Sequence, residues 1–133
     1  MSLQIVAPTL RTEVLQSDST ENFIAAHFDR AYLMFNLFLD DPRACLDRSD
    51  AVFRALSAQG ELNARSFYRE LVQRIRALPL SAESLEGQEP DSLLCWLLKD
   101  SADLSYADIA AAMEMDREQV GWRIAQVRGA LLA

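Results

Sequence analysis

Apolar side chains return every three or four residues along most of this chain, which restricts it to helices packed on helices. Ile24, Phe28, Ala31, Phe35 and Phe38 fall on one helical face, widened by Phe23, Met34 and Leu37. Thr20 offers an N-cap, and the helix is expected to end at Asp41, which Pro42 restricts. The same period predicts a second helix over residues 43–58, with Leu46, Val52, Phe53 and Leu56 inward and Gly60 as its stop. A third is predicted over 63–78, with Phe67, Leu71, Ile75 and Leu78 inward, ended by Pro79. Three amphipathic helices on short loops predict a compact bundle.

Before this bundle, residues 1–19 read as a flexible arm. Pro8 and the SDST cluster break the period, although Leu10, Val14 and Leu15 could dock on a groove. After it, residues 80–91 read as an acidic, Ser/Glu/Gly/Pro-rich linker, with AESLE able to form a helical turn. The period then resumes. Leu93, Leu94, Trp96, Leu97 and Leu98 make an apolar helix in which Trp96 is core. Ser105 and Asp108 form a capping-box-like start, with Ile109, Ala110 and Met113 inward. Asp116 can cap a last helix that turns Val120, Ile124, Val127 and Leu131 inward. The expected fold is all-α, in two small helical modules. Residues 20–79 form a three-helix bundle and residues 92–133 a helix-turn-helix.

Charge separates the two halves. Residues 1–80 carry nine Lys/Arg and ten Asp/Glu, whereas residues 81–133 carry four and ten. A freestanding nucleic-acid binder draws most of its affinity from phosphate contact and should be basic. An acidic helix-turn-helix half weighs against strong independent DNA binding. Cys45 and Cys95 sit in apolar contexts without CxxC spacing, as buried reduced thiols of a cytoplasmic protein would. With His27 the sole histidine, a histidine-based metal site is not expected. No apolar run approaches the ~20 residues needed to span a bilayer, and the first residues lack the pattern of a secretory signal. The sequence offers no Ser/His/Asp set, phosphate-cradling glycine loop or metal cluster, so neither an enzyme nor a cofactor is expected.

From Leu104 to Arg128 the spacing is more particular. Leu104, Ser105, Tyr106, Asp108, Ile109 and Ala110 are followed, after Met113 and Met115, by Val120, Arg123, Ile124 and Arg128. This resembles region four, the promoter-reading end, of bacterial RNA polymerase sigma factors of the extracytoplasmic-function class. The first three helices resemble region two of that family more weakly, through Phe23, Phe28, Tyr32, Asp41, Pro42, Asp47, Val52 and Phe53. Phe67, Leu71 and Ile75 are similar to that region's last helix. Together the resemblance covers roughly residues 20–132 and implies a protein that binds core RNA polymerase and promoter DNA.

Several contact positions depart from the family. Its polymerase-gripping helix usually carries Gln-Glu before Val-Phe, and here Asp50-Ala51 stands there. The phosphate-neutralising Lys of the recognition helix is Gly121, Glu118 would repel phosphate, and the glycine expected in the turn is Glu114. The usual Trp of the promoter-melting helix is missing near Glu70.

Each candidate residue has two readings. Arg65, Arg69 and Arg76, with Arg74 nearby, would meet promoter DNA, or they form a solvated face with local ion pairs. Arg117, Gln119, Arg123 and Gln126 would enter a groove, Gln suiting adenine and Arg guanine. Alternatively, Arg123 and Arg128 serve the helix C-terminal half electrostatically. Asp47, Asp50 and Trp122 are candidates for protein contact. Trp122 lies off the buried stripe and suits an interface hot spot, or it packs on the linker or the N-terminal bundle of its own chain. Three functions compete. The leading one is a sigma-factor-like transcription protein. The second is a sigma-factor mimic that occupies an anti-sigma factor without reading DNA. The third is a dimeric helix-turn-helix repressor.

Overall fold

The computed structural model describes residues 8–80, 85 and 87–132, with side chains from Thr20 onward. Among the described residues there are six α-helices and no strand: α1 (Pro8–Phe38), α2 (Pro42–Gln59), α3 (Ala64–Arg76), α4 (Pro90–Asp100), α5 (Tyr106–Met113) and α6 (Arg117–Leu132). The chain is all-α, as its periodicity requires.

Local chemistry sets most of the helix ends. Asp41 caps α2, its Oδ1 accepting from the backbone N–H groups of Arg43 and Ala44 at 3.1 and 3.3 Å. Pro42 opens that helix, where its missing N–H costs nothing. Gly60 closes it in the left-handed region, φ 70°, a conformation that glycine adopts without a Cβ penalty. Asn63 caps α3 through Ser66 N–H at 2.9 Å. Ser105 caps α5 through Asp108 N–H at 3.1 Å, and Asp116 receives Gln119 N–H at 2.9 Å as α6 begins. Glu114, where the family resemblance expects glycine, ends α5 at φ 56° with a left-handed backbone.

Three expectations need correction. Helix α1 spans Pro8–Phe38, so Thr20 lies inside it and is not its N-cap. Ser, Asp and Thr each cost only fractions of a kcal/mol inside a helix, too little for SDST to end one. The side chains of Leu10, Val14 and Leu15, all of residues 1–7, and most of the AESLE stretch lie outside the described residues. In α2 the buried stripe is Cys45, Ser49, Val52, Phe53 and Leu56, and Leu46 is 49% exposed. Ser49 can occupy that stripe because its hydroxyl donates to the Cys45 carbonyl at 2.7 Å. Finally, Leu37 and Leu131, both expected to face inward, are exposed.

One contiguous core runs through all six helices. Helices α1, α2 and α3 pack on one another, α4 and α5 pack on α6, and α3 touches both α4 and α5. Leu85, from the expected linker, is buried in the same core. The two halves therefore meet along α3. Trp96 packs partly buried against this core. Both cysteines are free and buried. Burial pushes the Cys95 thiol up to about 11, and burial together with the Asp41 charge raises Cys45. Among the described residues no helix is long and apolar enough to cross a membrane.

Candidate nucleic-acid and partner interface

The arginines of α3 line the junction between the halves. Arg65, Arg69 and Arg76 fall on one helical stripe that also contains Val72, and Val72 is fully buried. Arg65 and Arg69 form one wall of a cleft of about 480 Å³, with Leu104, Ala107, Asp108 and Ala111 of the C-terminal half opposite. Arg65 has no ion pair or hydrogen bond among the described residues. Arg69 approaches Glu61 at 3.9 Å. Neighbouring Arg74 is held by Glu70 at 2.7 Å.

Arg76 is engaged more firmly. Its Nε and Nη2 donate to the two carboxylate oxygens of Asp91, at 3.0 and 3.2 Å, which ties the end of α3 to the first turn of α4. Arg123 of α6 reaches the same place. Its Nη1 donates to Glu89 Oε2 at 3.0 Å and to the Ser92 hydroxyl at 3.1 Å. Arg76, Glu89, Pro90, Asp91 and Arg123 line one open cleft of about 340 Å³. Two arginines from opposite halves, each a candidate for DNA contact, thus converge on carboxylates at the start of α4. Those carboxylates were not singled out as partners by the sequence. Their separations of 15 and 34 residues lie beyond any local pattern. The acidic composition of the linker was the one available signal.

The remaining candidates lie apart. Arg117 and Gln119 are exposed at the start of α6, while Gln126 is exposed and accepts weakly from Ser92 at 3.5 Å. Arg128 is taken up by Asp100 at 2.7 Å, bridging α6 to α4. On the other half, Asp47 is exposed and Asp50 pairs with Arg54 at 2.7 Å along α2. Three leucines stand out there: Leu33 and Leu37 on α1, 60% and 58% exposed, and Leu46 on α2. Trp122 is 58% exposed. Gly121 beside it has the Tyr106 ring 3.9 Å from where a Cβ would stand.

Chemically, this surface offers guanidinium groups for an anion and isolated apolar groups for a protein. No cluster of His, Cys, Asp and Glu able to hold a metal occurs among the described residues. Comparison with protein-family models, curated proteins and solved structures finds no match to this chain.

Proposed function

We propose that this chain is a sigma-factor-like transcription protein. On this reading α1–α3 form the module that engages core RNA polymerase, and α5 and α6 form a helix-turn-helix that meets promoter DNA. Supporting it is the spacing from Leu104 to Arg128, carried by α5 and α6, with Ser105 and Asp116 as their caps. The exposed Leu33 and Leu37 of α1 and Leu46 of α2, the last followed in sequence by Asp47 and Asp50, are the apolar groups offered to the polymerase. Polymerase binding then provides most of the affinity, so few arginines suffice for DNA. Among the candidate DNA-contacting arginines, Arg65, Arg69 and Arg117 are exposed.

The test is promoter-dependent transcription with purified core polymerase. Arg65→Glu with Arg69→Glu and Arg117→Glu is expected to abolish the transcript while polymerase capture persists. Unchanged transcription, or no capture of polymerase by the wild-type chain, refutes the reading.

A second reading is favoured by one observation, the exposure of Trp122 on a helix whose arginines Arg123 and Arg128 are already occupied. In it α6 is a protein-binding surface, and the chain is a mimic that occupies an anti-sigma factor. Trp122→Ala would then lose that partner by roughly 2 kcal/mol or more. Retention of every captured partner by Trp122→Ala rejects it.

A further inference from the structure

The carboxylates at the start of α4 stand where phosphates would stand if Arg76 and Arg123 met nucleic acid. Arg76 makes a two-pronged contact with Asp91, the same fork geometry that guanidinium uses on a phosphate. Arg123 donates through one nitrogen to both Glu89 and Ser92, and its side chain is 22% exposed. Both pairs fall in one open cleft. The two arginines come from opposite halves, α3 and α6, and the acids come from the segment that joins those halves. Further along the same α3 stripe, Arg65 and Arg69 face Asp108 across the larger cleft. The more acidic half of the chain therefore lies along the arginine-bearing face of the other half.

We propose that Glu89 and Asp91 act as an internal stand-in for nucleic-acid phosphate, keeping Arg76 and Arg123 from binding a polyanion until the first turn of α4 is displaced. This rests on the DNA-binding reading above and adds its regulation. Displacement need not unfold α4. Glu89 is the N-cap residue and makes no side-chain capping bond, so its carboxylate is free to leave Arg123 without costing the helix a cap. Neither pair is sealed from water, so a phosphate can compete for either arginine.

The test is binding of the full chain to a ~20-bp duplex DNA, followed by fluorescence anisotropy across ~50–200 mM salt, because the salt slope counts phosphate contacts at about 0.9 each. Glu89→Gln with Asp91→Asn is expected to bind roughly tenfold more tightly at the lowest salt and to steepen the slope by about 2. Adding Arg76→Gln and Arg123→Gln to that variant returns the slope to the wild-type value. Asp29→Asn with Asp40→Asn, an equal charge change at two other exposed positions, leaves the slope unchanged. Glu89→Gln alone and Asp91→Asn alone each add about 1, and they carry the test if circular dichroism shows the double variant unfolded. An unchanged slope, a gain that survives loss of both arginines, or an equal gain from Asp29→Asn with Asp40→Asn overturns the proposal. The outcomes separate the two ideas. Polymerase capture without a slope gain removes the masking alone. A slope gain without polymerase capture removes the sigma-like reading and leaves the masking.

Discussion

The two halves of this chain are held together by different forces. In α1–α3 the cohesion is aromatic. Phe67 is fully buried and meets Phe53 stacked at 5.4 Å, Phe23 edge-on at 6.2 Å, the His27 ring at 5.0 Å and Tyr68 at 4.9 Å. Phe28 stacks on Phe53 at 5.8 Å. In α4–α6 no ring–ring contact occurs among the described residues. Leu94, Leu98, Ile109, Met113 and Ile124 fill that core, and ion pairs such as Arg128–Asp100 bridge its helices. Area burial and ring packing barely respond to salt, whereas partly exposed ion pairs do. Ion pairs occur in the first half too, but Arg54–Asp50 and Arg74–Glu70 each stay within one helix, whereas Arg128–Asp100 and Arg76–Asp91 join separate helices, the latter at the junction with α3.

The largest effect should come from the aromatic hub. Phe67→Ala removes a ring that touches four others and should cost about 3–5 kcal/mol, read as a shift in the urea midpoint. Ile124→Ala, the counterpart in α6, should cost about 2–4 kcal/mol. Because one core runs through both halves, each variant should still unfold in a single transition. Two separated transitions, with the Ile124→Ala loss confined to one, would break the picture of a shared core.

How far each half can be read from sequence follows the range of the interactions. The caps at Ser105 and Asp116 and the stop at Gly60 are local, so residue type and position declare them. Asp41 is expected only as the end of α1 and Asn63 only as the start of α3, and the structure makes them the caps of α2 and α3. The core stripe of α3 was equally plain, since Phe67, Leu71 and Ile75 are strongly apolar. In α2 hydropathy pointed to Leu46, because nothing in a hydropathy pattern reveals that Ser49 satisfies its hydroxyl on its own helix. The length of α1 is not legible because Ser, Asp and Thr are weak helix formers, and residue type alone does not separate a weak stretch of helix from a stop. The seam was illegible. The grouping of Arg65, Arg69 and Arg76 on one face could be read directly, but that this face lies against the acidic half depends on packing between segments far apart in the chain. Arg123 is the sharpest case. Its position in the motif marked it for DNA, and its side chain lies against Glu89 and Ser92.

The next effect concerns pH. Cys95 lies in the core beside Met115, its Sγ 3.9 Å from the thioether, and its thiol is pushed up to about 11 by burial. A thiol whose folded value exceeds its unfolded one binds its proton more tightly when folded. Stability is therefore intact below the unfolded value, near 9, and falls as pH rises through the window from there to about 11. The loss attributable to Cys95 should be on the order of 2 kcal/mol across that window. Thermal melts of wild type and Cys95→Ala from neutral to alkaline pH should converge as pH rises. An unchanged gap would remove the thiol as the cause. At neutral pH the same burial should leave Cys95 slow to alkylate in the native protein.

Caps should matter less and should not discriminate between halves. Asp41→Ala and Asp116→Ala each leave backbone N–H groups without a side-chain acceptor and should each cost about 1 kcal/mol in urea unfolding. If one cost several times the other, capping rather than core chemistry would be what separates the halves.

Ion pairs give the smallest effects and the finest test of the comparison. Asp50–Arg54 spans one turn of α2, with its side chains 52% and 82% exposed, so water screens it and it fixes nothing beyond its own helix. Asp50→Asn should change stability by less than about 0.5 kcal/mol. Arg76–Asp91 is two-pronged, less exposed, and ties α3 to α4. Arg76→Gln should cost about 0.5–1 kcal/mol at low salt, and most of that should vanish near 1 M salt, where the screening length shrinks to about 3 Å. Measuring both variants by urea unfolding at both salt concentrations isolates the junction. A salt-sensitive loss for Arg76→Gln alone places the adjustable electrostatics at the seam between halves. Equal, salt-insensitive losses would mean that the seam is held by Val72 and its apolar neighbours, with the arginine merely resting on it.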